Sequence, residues 1–347
     1  MRSRAKRPTA IDVFCGCGGA TAGLKKSGFR VLAGVELSEA AAEAFRLNHP
    51  EVELYRNDIR DLHPAKLLRE LGLRKKELDL LIGCSPCQGF SRMRTRNRRE
   101  AADDPRNDLV FEFVRLTKGL LPKAIVFENV PGLMHDTRFA AMVQALEHLG
   151  YSVSSGILEL SQYGVPQRRK RLILTGSRAG RIGLPTASGR RMTVRDAIGG
   201  LPRPAKSADP LQKSVTAHSD DIKKKIAKIP KNGGSRIDLG EDEQLPCHTK
   251  VDGFHDVYGR MSWNKPSPTI TRFSLNPSKG RYLHPTQNRA ISLREAALLQ
   301  TLPPSYKFPL EEYGRGAVAS MIGEVLPPLF AEQLAYHVQK HLEVAGA

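Results

Sequence analysis

No apolar run in this 347-residue chain reaches the length of about 20 residues that a membrane-spanning helix needs. Nor does its start hold the apolar centre of a secretion signal. Both absences predict a soluble protein that stays inside the cell. Cysteine is scarce: five, an odd number, without the regular spacings of a disulfide framework. That excludes a stapled secreted scaffold and suits a reducing compartment. Internal repeats are missing too, which excludes a solenoid. Acids are in short supply, 36 against 54 lysines and arginines, giving a net charge of +18 and a pI near 9.9. Such an excess calls for a polyanionic partner, nucleic acid first, with a merely basic enzyme as the plainer alternative. Forty per cent hydrophobic residues are ample for a buried core, and the length favours two domains.

What is present is organised around Asp79-Leu-Leu-Ile-Gly-Cys-Ser-Pro-Cys-Gln-Gly-Phe-Ser91. Leu80 to Ile82 is a short apolar run with the pattern of a buried strand. It ends in a tight corner where Pro86 fixes φ and lifts Cys87 off the sheet edge. In an open parallel sheet, ligands gather outside the carboxyl ends of the strands, so Cys87 is a candidate nucleophile. A lone Cys is otherwise a small core residue.

The chain begins with a basic tail, Arg2 to Arg7, then a strand, Ala10 to Phe14, that runs into Cys15-Gly-Cys-Gly-Gly-Ala-Thr-Ala-Gly23 and a helix over Ala22 to Ser27. Strand, glycine turn and helix open a Rossmann-like unit. Gly16 and Gly18 fit the dinucleotide fingerprint, but Thr21 replaces its third glycine. A second strand, Arg30 to Val35, ends in Glu36, an acid placed to accept from a ribose diol. A helix over Glu39 to Asn48 and a strand over Val52 to Tyr55 lead to Asn57-Asp58-Ile59, where Asp58 is a candidate for an adenine amine. A nucleoside cofactor follows from this arrangement. Nicotinamide dinucleotide and S-adenosylmethionine both remain open at this point.

After the corner, Arg92 to Arg99 holds five arginines and no acid, the composition of a loop that clamps phosphates or of a solvated face. Leu109, Phe113 and Leu116 share one side of a helix over Asp108 to Leu116. Ala124 to Phe127 is a strand that runs into Glu128-Asn-Val-Pro-Gly132, with Glu128 a candidate general acid. A helix over Arg138 to Leu149 precedes Gln167-Arg-Arg-Lys-Arg171 and a strand over Leu172 to Thr175. In an extended segment Gln167, Arg169 and Arg171 point one way. From about Ser177 the periodicity fades, with only strand-like pieces near Thr269 to Thr271, and 181–284 reads as a smaller irregular domain. Regular structure returns at Ser292, whose capping box with Glu295 opens a helix, and ends in a helix over Leu329 to Leu342.

Taken in order, Asp12-Val-Phe-Cys-Gly-Cys-Gly-Gly19, Gly83 to Ser91, Glu128-Asn-Val130, Gln167 to Arg171, Arg294 to Gln300 and the Gly323 segment resemble the DNA (cytosine-5) methyltransferases. The resemblance spans nearly the whole chain outside the irregular domain. It implies an α/β fold: a Rossmann-like doubly wound sheet of the class I S-adenosylmethionine-dependent kind, with a smaller irregular target-recognition domain. The expected divisions are 1–180 for catalysis and cofactor, 181–284 for target recognition, and 285–347 returning to the catalytic domain. S-adenosylmethionine is the implied cofactor, and a pyrophosphate cradle is then not needed. Cys87 matches the nucleophile that adds to cytosine C6, Glu128 the acid at N3, and Arg169 and Arg171 the pair that orders the site. Phe14, Gly16, Gly18, Glu36, Asp58, Ile59, Pro86 and Leu109 match the cofactor contacts. Double-stranded DNA is the implied partner, its target base flipped out. A separate restriction endonuclease, a monomeric state and a cytoplasmic, nucleoid-associated location in a prokaryote complete the expectation. The closing segment should lie beside the first motif. Glu324 stands where the family has Asn, so that contact is not carried over, and Thr301-Leu-Pro-Pro304 replaces the commoner Thr-Phe-Pro-Asp.

Two rivals are weaker. Cys15-x-Cys17 with Cys84-x-x-Cys87 has the count of a zinc-binding DNA module, but both pairs fall at strand ends already accounted for, so no metal is expected. One branch of the family methylates transfer RNA; its Cys-Phe-Thr signature is missing here.

Overall fold

The computed structural model describes residues 7–86, 105–240 and 256–345. Cys87, the arginine run 92–99 and the stretch 241–255 of the expected recognition domain lie outside the described residues. The chain forms two compact units, one of residues 1–159, 170–187 and 328–347, the other of 160–169 and 188–327. Residues 285–327, and the short piece 160–169, thus cluster with the second unit.

The first unit is built on seven strands: β1 (Thr9–Val13), β2 (Arg30–Val35), β3 (Glu53–Tyr55), β4 (Leu80–Cys84), β5 (Ala124–Asn129), β6 (Ser152–Glu159) and β7 (Lys170–Ser177). Their order is β3-β2-β1-β4-β5-β7-β6. Neighbours from β3 to β5 run parallel, and β7 enters antiparallel between β5 and β6. The apolar runs explain which strands are central. Every residue of β1 and β5 is buried, as a parallel sheet covered on both faces requires, while β6 has no buried residue and lies at an edge. The expected Rossmann-like class is the one observed.

Helices α1 (Gly19–Lys26), α2 (Glu39–Asn48), α3 (Pro64–Glu70), α4 (Leu109–Leu120) and α5 (Thr137–His148) follow the strands. The expected apolar side of α4 is buried: Leu109, Phe113 and Leu116, joined by Val110 and Leu120. Two of the boundaries that differ from expectation bear on the site. Helix α1 starts three residues early, because Gly18 in the left-handed conformation, φ 93°, serves as its N-cap. Strand β5 runs two residues further, so Glu128 lies within a strand, paired to β7 through Ile173.

The second unit has no sheet among its described residues, only isolated bridges such as Arg260 with Leu283. Its helices are α6 (Val194–Ile198), α7 (Pro210–Lys213), α8 (Asp220–Lys228), α9 (Leu293–Leu299) and α10 (Leu310–Glu324). The expectation of short strand-like pieces in 181–284 is therefore corrected to short helices. Side-chain caps explain them: Thr193 with Asp196, Asp209 and Ser219 each accept from a first-turn N–H. An irregular unit must still satisfy its buried carbonyls. Arg260, fully buried, does this by donating to the carbonyls of Ile226, Ile229, His284 and Gln287 and to Asn288 Oδ1, at 2.6–3.1 Å.

Helix α11 (Pro328–Ala345) belongs to the first unit and runs along α1, with Lys26 and Glu332 paired at 2.9 Å. The closing segment does lie beside the first motif. Gly323, at the end of α10, serves the second unit: a Cβ there would come within 2.2 Å of the Arg272 nitrogen. Backbone cannot yield as a side-chain tip can. Gly323→Ala should therefore cost about 3 kcal/mol of stability, read as a lower thermal midpoint. An unchanged midpoint would show that the 271–272 peptide moves freely.

Candidate active site

Parallel strands β1, β2, β4 and β5 end at one edge of the sheet, and most of the expected site residues of the first unit sit there. β1 leaves the sheet through Phe14, a non-glycine residue held at φ 61°. Bulky residues in that region carry strain and mark turns that are fixed for a purpose. Glu36, closing β2, accepts from the Gly16 N–H at 2.9 Å and the Ser38 N–H at 2.7 Å. One carboxylate thereby fastens the glycine turn to the end of β2. Leu37 beside it is 65% exposed, an apolar surface that its position next to an acid did not advertise. Gly18 is obligatory here in two ways: its φ is left-handed, and a Cβ would meet the His49 ring at 2.4 Å. His49 Nε2 lies 3.0 Å from the Gly18 carbonyl while Lys25 Nζ approaches Nδ1. Burial first, then Lys25, brings its pKa down to about 4, so a neutral imidazole ties down the turn.

The departure at Thr21 has a structural reason. Its hydroxyl donates to Asp12 Oδ2 at 2.6 Å, deep in the core. Burial pushes the Asp12 carboxyl up to about 7, and its Oδ1 is buried with no donor. A glycine turn, a strand-end acid and an exposed leucine fit an adenosine-type ligand. Asp58 caps the 3-10 turn 59–61, accepting from Arg60 N at 2.9 Å and pairing with the Arg60 guanidinium at 3.2 Å. Ile59 and Leu109 are buried in the core, and Pro86 is exposed at the limit of the described residues.

At the ends of β4 and β5 the acid and one arginine meet. Glu128 Oε1 lies 2.7 Å from Arg171 Nε, both side chains largely buried. Arg171 also donates through Nη1 to the Lys170 carbonyl at 2.8 Å. Cys84 sits directly across the ladder from Glu128, and its thiol donates to the carboxylate. Burial and that charge hold Cys84 well above the ordinary thiol range, so it stays protonated. Asn129, which sequence reasoning passed over, donates to the Ser85 hydroxyl at 2.9 Å and to its carbonyl at 3.2 Å. It pins the corner two residues before Cys87. A polar residue beside a strand-end acid was the available signal.

Arg169 does not join Arg171. It clusters with the second unit, donating to the carbonyls of Ile270, Gly323 and Val325 at 3.0, 3.1 and 3.4 Å. Gln167 is bound alongside, to Gln300 Oε1 at 2.8 Å and to the Ile270 N–H at 2.8 Å. The alternation of the segment is real, and of the two arginines it is Arg171 that pairs with Glu128. Cys15 and Cys17 are buried, and among the described residues no three His, Cys, Asp or Glu side chains are grouped to hold a metal.

Residues 9–340 match the family model of the C-5 cytosine-specific DNA methylases. The Type II methylase M.HgiDII of Herpetosiphon aurantiacus is 36% identical, covering 96% of this chain and 95% of its own. The Type II methyltransferase M1.HphI of Haemophilus parahaemolyticus is 35% identical over 96% of this chain and 87% of its own. Among solved structures, the S. pombe Dnmt2 methyltransferase shares the fold at a TM-score of 0.67 and 16% identity, covering 98% of this chain and all of that one. No helix among the described residues is long and apolar enough to cross a membrane. With its family model matched over nearly its whole length and its relatives aligned end to end, the chain belongs to the C-5 cytosine-specific DNA methylases.

Proposed function

We propose that the chain methylates C5 of a cytosine within a specific double-stranded DNA sequence, with S-adenosylmethionine as methyl donor and Cys87 as covalent nucleophile. The observation that carries this reading is the buried Glu128–Arg171 pair at the strand edge where the corner leading to Cys87 begins. When bound, the cofactor supplies an electrophilic methyl group. Phe14, Gly16, Gly18, Glu36 and Asp58 would hold it, with Ile59, Pro86 and Leu109 lining its place.

The chemistry then falls to this chain's own groups. The Cys87 thiolate adds to C6 of a cytosine flipped out of the duplex, and electron density moves to C5. Glu128 holds a proton at N3, where negative charge would otherwise build. Arg171 keeps the Glu128 carboxyl in place and faces the base with its remaining donors. C5 takes the methyl group; loss of its proton then expels the Cys87 thiolate and restores the ring. Arg169 acts at a remove, by fixing the backbone at 270 and 323–325. The recognition part is the second unit, helped by the arginines of 92–99, which set affinity more than sequence. We infer that the enzyme works as a monomer in the cytoplasm, beside a separately acting restriction endonuclease. Bisulfite sequencing of DNA from cells expressing the protein should give protected cytosines in one recurring sequence context. Complete conversion of every cytosine would end this reading.

Glu36 offers a separate test of the cofactor site. Glu36→Ala should raise the KM for S-adenosylmethionine about tenfold or more while changing kcat little, because a ground-state contact is lost. An unchanged KM would reduce Glu36 to its bonds with Gly16 and Ser38.

A further inference from the structure

A cavity of about 430 Å³ opens within the second unit between the start of α8, the 275–277 turn and α10. Thr216, His218, Asn276 and Arg315 supply its polar wall, and Tyr258 and Pro277 part of its apolar wall. None of the described residues lining it is an acid. Arg315 is placed there by a kink. Gly314, at φ 73° and ψ 174°, takes a conformation open only to glycine and breaks the helix one residue before it.

Three other arginines of this unit are well supplied with acceptors. Arg289 forks onto Glu295, Arg294 reaches Asp209, and Arg260 gathers four carbonyls. Arg315 differs. Nη2 donates to the neutral Thr216 hydroxyl at 3.1 Å, Nε is buried without an acceptor, and burial alone lowers its pKa. Thr216 in turn donates to the Leu275 carbonyl at 2.7 Å, which fixes its lone pairs toward the arginine. His218 Nε2 likewise has no partner among the described residues, and burial, Lys223 and Arg315 disfavour a second proton on its ring. Asn276 spends its oxygen on Ser278, accepting from N and Oγ at 2.9 and 2.8 Å, which leaves its NH₂ to donate. The polar wall therefore has donors to spare, carries positive charge and, among the described residues, lacks a counterion. Helix α8, which contributes Ile222 to the same cavity, exposes Lys224 and Lys228.

We propose that this cavity seats one sugar-phosphate of the DNA backbone, the phosphate on Arg315 and Asn276 and the deoxyribose against Tyr258 and Pro277. A phosphodiester oxygen is acceptor-only and anionic, which matches the donors, and the sugar's carbon face matches the apolar wall. The proposal rests on double-stranded DNA being the substrate.

The test is equilibrium binding to two labelled duplexes, one that wild type methylates and one that it does not. Arg315→Gln should weaken binding to both about tenfold and flatten the plot of log K against log salt by about 0.9. Arg315→Lys, which restores the charge, should restore the slope. Asn276→Asp keeps the turn's cap but brings a carboxylate to Arg315, and should weaken both duplexes as well; it carries the test if the Gln variant fails to fold. Unchanged affinity and slope in Arg315→Gln, or in Asn276→Asp when the former is unfolded, overturns the proposal and leaves the substrate reading intact. So does a loss confined to the methylated duplex with a changed methylation sequence, since the cavity would then read a base. Wild type binding neither duplex removes the substrate reading and this one with it.

Discussion

Glu128→Gln should lower kcat for cytosine methylation by two to four orders of magnitude, roughly the contribution of a positioned general acid, while DNA binding persists. Gln matches Glu in shape, and its amide oxygen can still accept from Arg171 Nε, so the 2.7 Å contact has a substitute. What Gln cannot do is hold a transferable proton at N3. The Cys84 thiol would still find an acceptor across the ladder, so the strand ends should keep their spacing. The variant separates chemistry from architecture for that reason. Glu128→Ala is a poorer probe: it leaves Arg171 Nε largely buried without its carboxylate, a loss of about 3 kcal/mol or more in stability for a broken buried pair. Single-turnover rates within a few-fold of wild type for Glu128→Gln would remove Glu128 from the reaction.

The strand edge was readable in advance because it rests on local rules. Apolar runs that stop at a polar residue place Glu36 and Glu128 at the sheet's carboxyl edge, and a glycine turn after β1 needs no long-range information. Ser292 with Glu295 is similar, a capping box confined to four residues and observed as read. Arg169 escaped because alternation tells which way a side chain points, not what it meets. Its partners at 270, 323 and 325 are about 100 to 150 residues away in sequence. The short helices of 181–284 escaped for a different reason. With four to nine residues each, they are too short to show a helical period and are held by caps and by Arg260. Helix α10 carries Gly314 and Gly316, which weaken a helical pattern in the sequence; Gly314 marks a real kink within it.

Cys87→Ser should abolish methyl transfer while leaving DNA and cofactor binding in place. A serine hydroxyl at neutral pH is almost wholly protonated and a far weaker nucleophile than a thiolate, so attack on C6 would stop. Competing thiols are poorly suited to the task. Cys15 is buried beside Asp12 and Glu36, and burial followed by those charges pushes it well above the ordinary thiol range. Cys84 is held up by burial and by Glu128, to which it donates. Cys87 has the opposite sequence neighbourhood, with Arg92, Arg94, Arg96, Arg98 and Arg99 following within a dozen residues, and basic surroundings favour a thiolate. A duplex carrying 5-fluorocytosine at the target turns this into a direct readout. Once the methyl group is on C5, fluorine cannot leave as a proton does, so the Cys87–C6 bond should persist and the protein–DNA adduct should survive denaturing electrophoresis. Peptide mapping of the wild-type adduct should place the modified base on Cys87, and Cys87→Ser should form none. An adduct formed by Cys87→Ser, on Cys84 or any other cysteine, would show that the nucleophile lies elsewhere in the chain.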